Sequence, residues 1–396
     1  MDALTTPSNW QKVRLGDIGK PCMCKRVMKH QTTRYGEIPF YKIGTFGNTA
    51  DAFISKKLFL EYKAKYSFPK KGDILISASG TIGRAVIYDG KPAYFQDSNI
   101  VWIDNDETLV KNDFLFYAYS NIKWNTEHTT ILRLYNDNFR NTLIPLPPLN
   151  EQIAIANILS ALDHYLYTLD ALILKKESVK KALSFELLSQ RKRLKGFNQN
   201  WQKVRLGDIC YLKNGFSFKS DLFKNMGIPI IRISNISSVD NCINTNDLVF
   251  YDPILIDNDY ILKQGDLILA MSGATTGKSC LYNLNKIAYL NQRVGVFRAK
   301  TSFCYDFLVQ FVFSELFTSR LKLILTAGAQ PNISSFDIED FEILLPPLNE
   351  QIAIANILSA LDSEIISLKN KKRQFENIKK ALNHDLMSAK IRVLKK

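Results

Sequence analysis

The sequence is poor in the residues that build disulfide frameworks and metal sites. It has 6 cysteines and 4 histidines among 396 residues. Six cysteines in a chain of this length do not make a disulfide framework, which favours a reducing cytoplasm. Cys22 and Cys24 stand too close together for the usual zinc knuckle, and the histidines are scattered along the chain. We therefore expect no metal site.

Long hydrophobic runs are also missing. No run approaches the roughly 18 apolar residues of a membrane span. The opening residues, MDALTTPSNW, lack the apolar core of a secretory signal. With 46% apolar and 23% charged residues, the composition is that of a soluble globular protein with room for two or more domains. We expect a cytoplasmic protein with no membrane partner.

Acidic residues are in the minority. The chain has 52 Lys and Arg against 38 Asp and Glu, a net charge of +14. A basic balance indicates an anionic partner, nucleic acid first. Most of the excess lies in residues 164–195, at +5, and residues 363–396, at +7, which leaves the rest nearly neutral. Solvated helix faces explain such charge runs equally well.

Two blocks of sequence occur twice. LPPLNEQIAIANILSALD fills residues 146–163 and 345–362, and NWQKVRLGDI fills residues 9–18 and 200–209. Outside these blocks the two halves share a plan but few identical residues. We infer two copies of one unit. The duplicated blocks, which we call the frame, are the same in both copies, and the domains that the frame holds differ.

Each copy predicts a mixed domain followed by a long helix. Short apolar runs predict strands at residues 38–43, 73–78, 84–89 and 99–103, and again at 228–233, 266–271, 279–283 and 294–299. Amphipathic helices are predicted from Asp113 and Asp306. The predicted fold class is α+β, with two pseudo-symmetric mixed α/β domains separated by two long antiparallel, coiled-coil-like helices. The predicted segments are the first domain at 1–148, the first helix at 149–195, the second domain at 196–347 and the second helix at 348–396.

The predicted long helices carry an apolar seam with alternating spacings of four and three. Asn150 is the predicted N-cap of the first. Such a seam needs a partner helix, and two matched seams in one chain pack most simply on each other; a buried helix of an ordinary bundle is the competing explanation. A helix over residues 150–195 would be about 65 Å long at 1.5 Å per residue, and would act as a spacer. Lysines at positions 176, 180, 372 and 379 interrupt the seam. The predicted seam residues are Ile155, Leu159, Leu162, Leu166, Leu169, Leu183, Ile354, Leu358, Leu361, Ile365, Leu368 and Leu382.

Two paired loops offer candidate nucleic-acid contacts. Residues 79–85 read SGTIGRA and residues 272–279 read SGATTGKS. The second is not a nucleotide-binding P-loop, because Ser272 stands where that loop needs a glycine. Backbone amides, hydroxyls and a cation at a strand end can approach a phosphate or a base edge, although a plain glycine hairpin explains the pattern as well.

A second pair of stretches, residues 93–99 and 288–294, carries side-chain amides of the type that pair with adenine. Hydrogen bonding within the fold accounts for these amides equally well. The candidate contacts from both pairs are Ser79, Thr81, Arg84, Gln96, Ser272, Thr275, Lys278, Asn291, Gln292 and Arg293.

Catalytic constellations are missing from the sequence. No Ser/His/Asp or Cys/His set recurs in the two copies. Leucine precedes both Pro-Pro pairs of the duplicated block, where an amino-methyltransferase needs a side-chain oxygen. We therefore expect no catalytic residue and no chemistry in this chain.

The WxxxxLGDI opening, the strand that leads to SGxxG, and LPPLNEQ before a long helix all occur twice. In this combination they resemble the specificity subunit of type I restriction–modification systems. The resemblance implies that each mixed domain recognises one half of a gapped target in double-stranded DNA, and that the helices set the gap. It implies two methyltransferase subunits and restriction/translocase subunits as partners. No cofactor is expected in this chain; the partners would hold S-adenosylmethionine, ATP and magnesium.

Two alternatives remain open from the sequence. The first is a structural adaptor, with two protein-binding domains on a coiled-coil spacer and no role with DNA. The near-neutral charge of the mixed domains favours it. The second is an enzyme that uses the SGATTGKS loop, which would require ATP binding through Lys278.

Overall fold

A computed structural model describes residues 9–125, 127–128, 132–237, 241–327 and 332–393. The chain divides into two compact units. Unit 1 comprises Met1–Asp170 and Lys371–Lys396, and unit 2 comprises Ala171–Asn370. Residues 1–8 of the predicted first domain and residues 394–396 of the predicted second helix lie outside the described residues.

Unit 1 holds a mixed domain with several small sheets. Strands β2-β8-β5-β6 form one antiparallel sheet, β4-β3-β7 form a second, and β1 pairs with β11. The strands are β1 Gln11–Arg14, β2 Gly19–Met23, β3 Ile38–Tyr41, β4 Phe53–Ile54, β5 Ile74–Ser77, β6 Ala85–Ile87, β7 Tyr94–Phe95, β8 Ile100–Asn105, β9 Glu127–His128, β10 Leu132–Arg133 and β11 Leu143–Leu146. The helices are α1 Leu15–Ile18, α2 Lys56–Lys65, α3 Asn112–Tyr119, α4 Asn136–Asn141 and α5 Leu149–Leu188.

The mixed domain of unit 2 follows the same plan. Strands β13-β20-β17-β18 and β15-β14-β19-β16 form its sheets, and β12 pairs with β21. The strands are β12 Gln202–Arg205, β13 Cys210–Asn214, β14 Ile228–Ile231, β15 Val249–Tyr251, β16 Ile261–Leu262, β17 Leu267–Ala270, β18 Ser279–Leu281, β19 Ala288–Leu290, β20 Val294–Ala299 and β21 Glu342–Leu345. The helices are α6 Leu206–Ile209, α7 Tyr305–Val312, α8 Glu315–Ala327, α9 Ser335–Glu339 and α10 Leu348–Met387.

These elements confirm the predicted fold class. All eight predicted strands and both amphipathic helices are present; β20 has the predicted bounds, and the bounds of the others are shifted. The sheets are mostly antiparallel, and β3–β7 and β14–β19 are parallel pairs at the same place in each domain. The two domains therefore share one topology although few of their residues are identical.

The long helices α5 and α10 each contain 40 residues. Asn150 is not the N-cap that the sequence predicted. The helix begins at Leu149 and so already includes Asn150, and the carbonyl of Pro148 accepts the amide N–H groups of Glu151 and Gln152 at 2.9 and 3.0 Å. Helix α5 ends at Leu188 because Gln190 takes a left-handed conformation, with φ 61°. Ala389, with φ 57°, follows the end of α10 in the same way.

The two long helices run antiparallel within each unit. In unit 1, Lys372 of α10 pairs with Asp170 of α5 at 2.7 Å, and Lys379, further along α10, pairs with the earlier residue Asp163. In unit 2, Lys176 pairs with Glu364 at 2.8 Å, and Lys180 pairs with Asp362. The four lysines that interrupt the apolar seam are therefore the cations of interhelical ion pairs, which help to set the register.

The predicted seam residues are all buried or partly buried. Ile155 and Leu159 join the hydrophobic core of the unit 1 domain, which includes Phe114. Ile354 and Leu358 join a cluster with Phe307 in unit 2. The first turns of each long helix are therefore fixed to a mixed domain.

Helix α10 also contains an 18-residue window that is apolar enough to cross a membrane by length and composition alone, with a mean hydropathy of 1.3. The core helix of a soluble protein passes the same test. Ile354, Ala355 and Leu358 of this helix are each about 1% exposed or less. These three residues pack inside unit 2, and 28% of the apolar window is buried.

A buried glutamate at the start of each long helix connects three segments of its unit. In unit 1, Glu151 is 2% exposed and accepts the indole N–H of Trp10 at 3.1 Å. Arg392, which follows α10, donates Nε and Nη2 to the same carboxylate at 2.6 and 2.8 Å. A buried carboxylate is tolerated when charged and polar donors fill its lone pairs in this way. The ion pair also raises the pKa of Arg392.

Unit 2 contains the equivalent joint. Glu350 is fully buried and accepts the indole N–H of Trp201 at 2.9 Å. Arg193, which follows α5, donates Nε and Nη2 at 3.2 and 2.6 Å. In each unit the tryptophan comes from the WQKVRLGDI block, the glutamate comes from the LPPLNEQ block, and the arginine follows the other long helix. We call these two sites the carboxylate joints.

The glutamine beside each joint fastens the helix to a loop of the domain. The amide of Gln152 donates to the carbonyls of Leu109 and Pro147, and its oxygen accepts the N–H of Lys111 at 2.8 Å. Gln351 accepts the N–H of Cys304 at 2.9 Å in the same manner. The Pro-Pro-Leu-Asn-Glu-Gln sequence is therefore the point where domain and helix are joined.

The substitution Trp10→Phe tests the unit 1 joint. It keeps an aromatic ring but removes the donor to Glu151. A hydrogen bond to a charged group contributes about 1.5–3 kcal/mol, so the free energy of unfolding should fall by about that amount. Chemical denaturation of both single variants and the double variant measures it. In a Glu151→Leu background Trp10→Phe should cost less, and an equal cost in both backgrounds would show that the bond contributes nothing.

Candidate nucleic-acid interface

Three loops of unit 1 converge where the strands of the two sheets end. Ser79 donates its hydroxyl to Asn99 at 2.7 Å, and the N–H of Ala78 donates to the Asn99 carbonyl at 2.7 Å. Gln96 accepts the N–H of Ile43 at 2.9 Å. Residues 42–47, 79–84 and 96–99 therefore form one surface, which we call loop cluster 1. Parts of both predicted stretches of the first copy, residues 79–84 and 96–99, lie in it.

Unit 2 has the corresponding cluster. Thr275 donates its hydroxyl to the carbonyl of Ile233 at 3.0 Å, and the carbonyl of Arg293 accepts the N–H of Met271 at 2.9 Å. The N–H of Asn291 donates to Ile231 at 3.1 Å. Residues 232–235, 272–278 and 291–293 form loop cluster 2. The two predicted stretches of the second copy again lie side by side.

The structure uses some of the predicted contact residues internally and exposes others. Ser79, Gln96 and Thr275 make hydrogen bonds within the fold. Ser272, Lys278 and Asn291 are partly buried. Thr81, Arg84, Gln292 and Arg293 are exposed. Their contact with nucleic acid stays a prediction, and the exposed four are the best placed to make it.

Arg84 is also held in place by its own domain. Its Nη1 donates to the carbonyl of Phe46 at 2.9 Å, and its backbone N–H donates to the Ser77 hydroxyl at 2.9 Å. A cation that is fixed in this way needs less ordering when it meets a ligand.

Three backbone amides of the glycine loops donate to the preceding strand or to the loop itself. The N–H of Gly83 donates to Ser77 at 2.9 Å, and that of Gly277 donates to Ala270 at 2.8 Å. The N–H of Lys278 donates to Thr275 at 3.0 Å. A phosphate-binding loop needs such N–H groups to point at its ligand. This geometry is that of a tight turn and gives no support to the enzyme alternative.

Gly83 is required by a close approach. It has φ +84°, and a Cβ added there would lie 2.2 Å from Nε1 of Trp124. The indole of Trp124 thus packs directly on the glycine loop. Trp124 was not predicted from the sequence, because nothing in the local pattern links it to a loop about forty positions earlier.

The loops at residues 42–47 and 232–235 were not predicted from the sequence. The strands predicted at 38–43 and 228–233 extend two residues too far, and these loops begin at those residues. No group of three or more His, Cys, Asp or Glu side chains could hold a metal ion in the part of the chain that the structure describes.

The chain has two domains of one topology. Each has converging strand-end loops and is fixed to two antiparallel helices, which is the architecture of a subunit with two recognition domains. The family model described as type I restriction modification DNA specificity domain matches residues 7–176 and 198–377. The chain therefore belongs to this family. The membership supports recognition of DNA targets over the adaptor alternative.

Individual relatives agree. The type I restriction enzyme MjaVIII specificity subunit of Methanocaldococcus jannaschii is 30% identical over 421 residues, which cover 99% of this chain and 95% of the relative. A putative type I restriction enzyme specificity subunit of Haemophilus influenzae is 64% identical over 148 residues, 37% of this chain and 38% of that relative. The crystal structure of a type I restriction–modification S subunit from M. genitalium has the same fold, with a TM-score of 0.65 at 17% identity over 98% of both chains.

The pair Gly80→Ala and Gly83→Ala tests the packing of the glycine loop. Both glycines have positive φ, so alanine costs about 1–2 kcal/mol of left-handed strain at either position. At Gly80 nothing lies within 4 Å of the added Cβ. Gly83→Ala should lose about 1–3 kcal/mol more through overpacking against Trp124. Equal losses in thermal or chemical denaturation would contradict this assignment.

Proposed function

We propose that this chain is the non-catalytic subunit that recognises a bipartite, gapped DNA sequence for a methyltransferase and restriction complex. The observation that carries the proposal is the repetition of one loop cluster on two domains with different residues. A duplicated frame with unlike loops is suited to two unlike half-sites.

The exposed side chains of the clusters have the chemistry of base and phosphate contacts. Arg84 and Arg293 can donate to guanine edges or to phosphates, and Gln292 can pair with adenine. Thr81 adds a hydroxyl with less selectivity. Because the two clusters present different sets of donors, each domain would recognise its own half-site.

Repeated exposed apolar residues on the long helices support two identical protein partners. Leu149 and Leu348 are 40% and 46% exposed, and Ile153 and Ile352 are 47% and 44% exposed. These residues belong to the duplicated block, so the same apolar surface is offered once in each unit. Exposed apolar surface of this kind is typical of protein interfaces.

We assign these two surfaces to two methyltransferase subunits, with restriction/translocase subunits joining the assembly. S-adenosylmethionine, ATP and magnesium would be held by those partners, which would act on an adenine flipped out of the duplex. The complex would work in the cytoplasm, where it meets DNA.

The length of the paired helices would determine the unread gap between the half-sites. A heptad inserted into both α5 and α10 adds about 10 Å of helix, or about three base pairs at 3.4 Å each. Co-expression with the methyltransferase, followed by genome-wide mapping of methylated adenines, should yield a split target, and the variant should keep both half-sites but lengthen the gap. An unchanged gap would refute the spacer, and the lack of any split target would refute the proposed function.

The partner surfaces are tested by Ile153→Asp and Ile352→Asp. Each should remove one methyltransferase subunit, because burial of a carboxylate in an apolar interface is unfavourable. Mass measurement of the purified complex gives the stoichiometry. Leu174→Asp is the matched control, since Leu174 is 64% exposed on the same helix but its counterpart in the second copy is Arg373. Retention of two subunits by both isoleucine variants would contradict the assignment.

A further inference from the structure

The two mixed domains differ sharply in charge at one equivalent place. Residues 24–73 of unit 1, between β2 and β5, hold eleven Lys and Arg against four Asp and Glu, a net charge of +7. Residues 215–266 of unit 2, between β13 and β17, hold four against seven, a net charge of −3. The net charge of each half of the chain does not reveal this difference, because residues 74–163 carry a net charge of −4.

The positive charges of unit 1 lie on a loop and a helix that touch each other. Gln31 of the loop donates its amide to the Tyr62 hydroxyl of α2 at 3.4 Å. Nζ of Lys25 lies 5.1 Å from the ring centroid of Tyr66. The exposed cations of this loop and helix form the surface that we call the basic surface: Lys25, Arg26, Lys29, Arg34, Lys56, Lys57, Lys63 and Lys65.

The basic surface is continuous with loop cluster 1. Arg26 pairs with Asp97 of that cluster at 3.0 Å. The hydroxyl of Tyr94 donates to the carbonyl of Lys25 at 3.1 Å. A duplex that contacts loop cluster 1 would therefore have its backbone beside these cations.

The equivalent region of unit 2 has a different chemistry. Lys224 is paired with Asp252 at 2.5 Å, as Arg26 and Lys65 of the basic surface are paired with acidic residues at 3.0 and 3.1 Å. Met226 and Leu255 are exposed here, as Met28 and Tyr35 are in the region of unit 1, so the two regions differ in charge and not in exposed apolar surface. This region has few cations to offer to phosphates.

We propose that the basic surface binds the DNA backbone at the half-site of the first domain, and that the first domain carries most of the salt-dependent affinity. The inference rests on the proposed function and adds that the two domains contribute unequally to the salt-dependent affinity. Each Lys or Arg that neutralises a phosphate releases counterions and steepens the fall of log affinity with log salt by about 0.9.

The test uses the complex with its methyltransferase and a synthetic duplex that carries the mapped target. The variant Lys29→Ala/Arg34→Ala/Lys57→Ala removes three charges of the basic surface. Lys219→Ala/Lys224→Ala/Lys263→Ala removes three exposed lysines from the equivalent region of unit 2. Binding is measured over a range of salt concentrations. The first variant should reduce the slope of log affinity against log salt by about 2–3, and the second should reduce it by less than about 1. Both variants should still recognise the mapped target.

The outcomes separate this inference from the function on which it rests. A wild-type complex that binds a scrambled duplex as tightly as the target would refute the proposed function. A specific wild-type complex whose slope is unaffected by the first variant, or falls equally in both variants, would overturn the inference alone. Loss of a methyltransferase subunit from the first variant, seen in its mass, would likewise overturn it, since the basic surface would then bind protein.

Discussion

The structure depends on the burial of one carboxylate at the start of each long helix. A buried glutamate is costly unless charged and polar donors surround it. Glu151 meets this condition only when the segment before β1, the start of α5 and the segment after α10 come together, since the first and last of these supply Trp10 and Arg392. The two blocks that occur twice in the sequence are the segments that supply the tryptophans and the glutamates. Their identity in both copies therefore has a direct physical meaning.

Outside the joints the two domains keep their topology and differ in surface. The strand-end loops meet in both, but loop cluster 1 lies beside a basic surface and the equivalent region of unit 2 has a net charge of −3. A frame that is fixed by buried hydrogen bonds lets the loops change without loss of the fold, because exposed loop residues contribute little to stability. This division explains how one architecture can serve two different half-sites.

Local pattern was enough to predict eight of the strands and the two long helices, because these follow from hydrophobic periodicity. The convergence of the strand-end loops was not predicted, because it depends on how the strands pair in the sheets. The hydrogen bond from Trp10 to Glu151 could not be predicted from local pattern, since it joins residues 141 positions apart. The end of α5 had no glycine to mark it, because Gln190 adopts the left-handed conformation instead. The lysines that interrupt the apolar seam had no predicted role, because their acidic partners lie on the facing helix, far away in the sequence.

The central claim is that each mixed domain recognises its own half-site on an interchangeable frame. The most direct measurement replaces residues 210–341 with residues 19–142, so that both frames hold the first domain, and maps methylated adenines after co-expression with the methyltransferase. The account predicts a target made of two copies of the first half-site. A target that still contains the second half-site would contradict it.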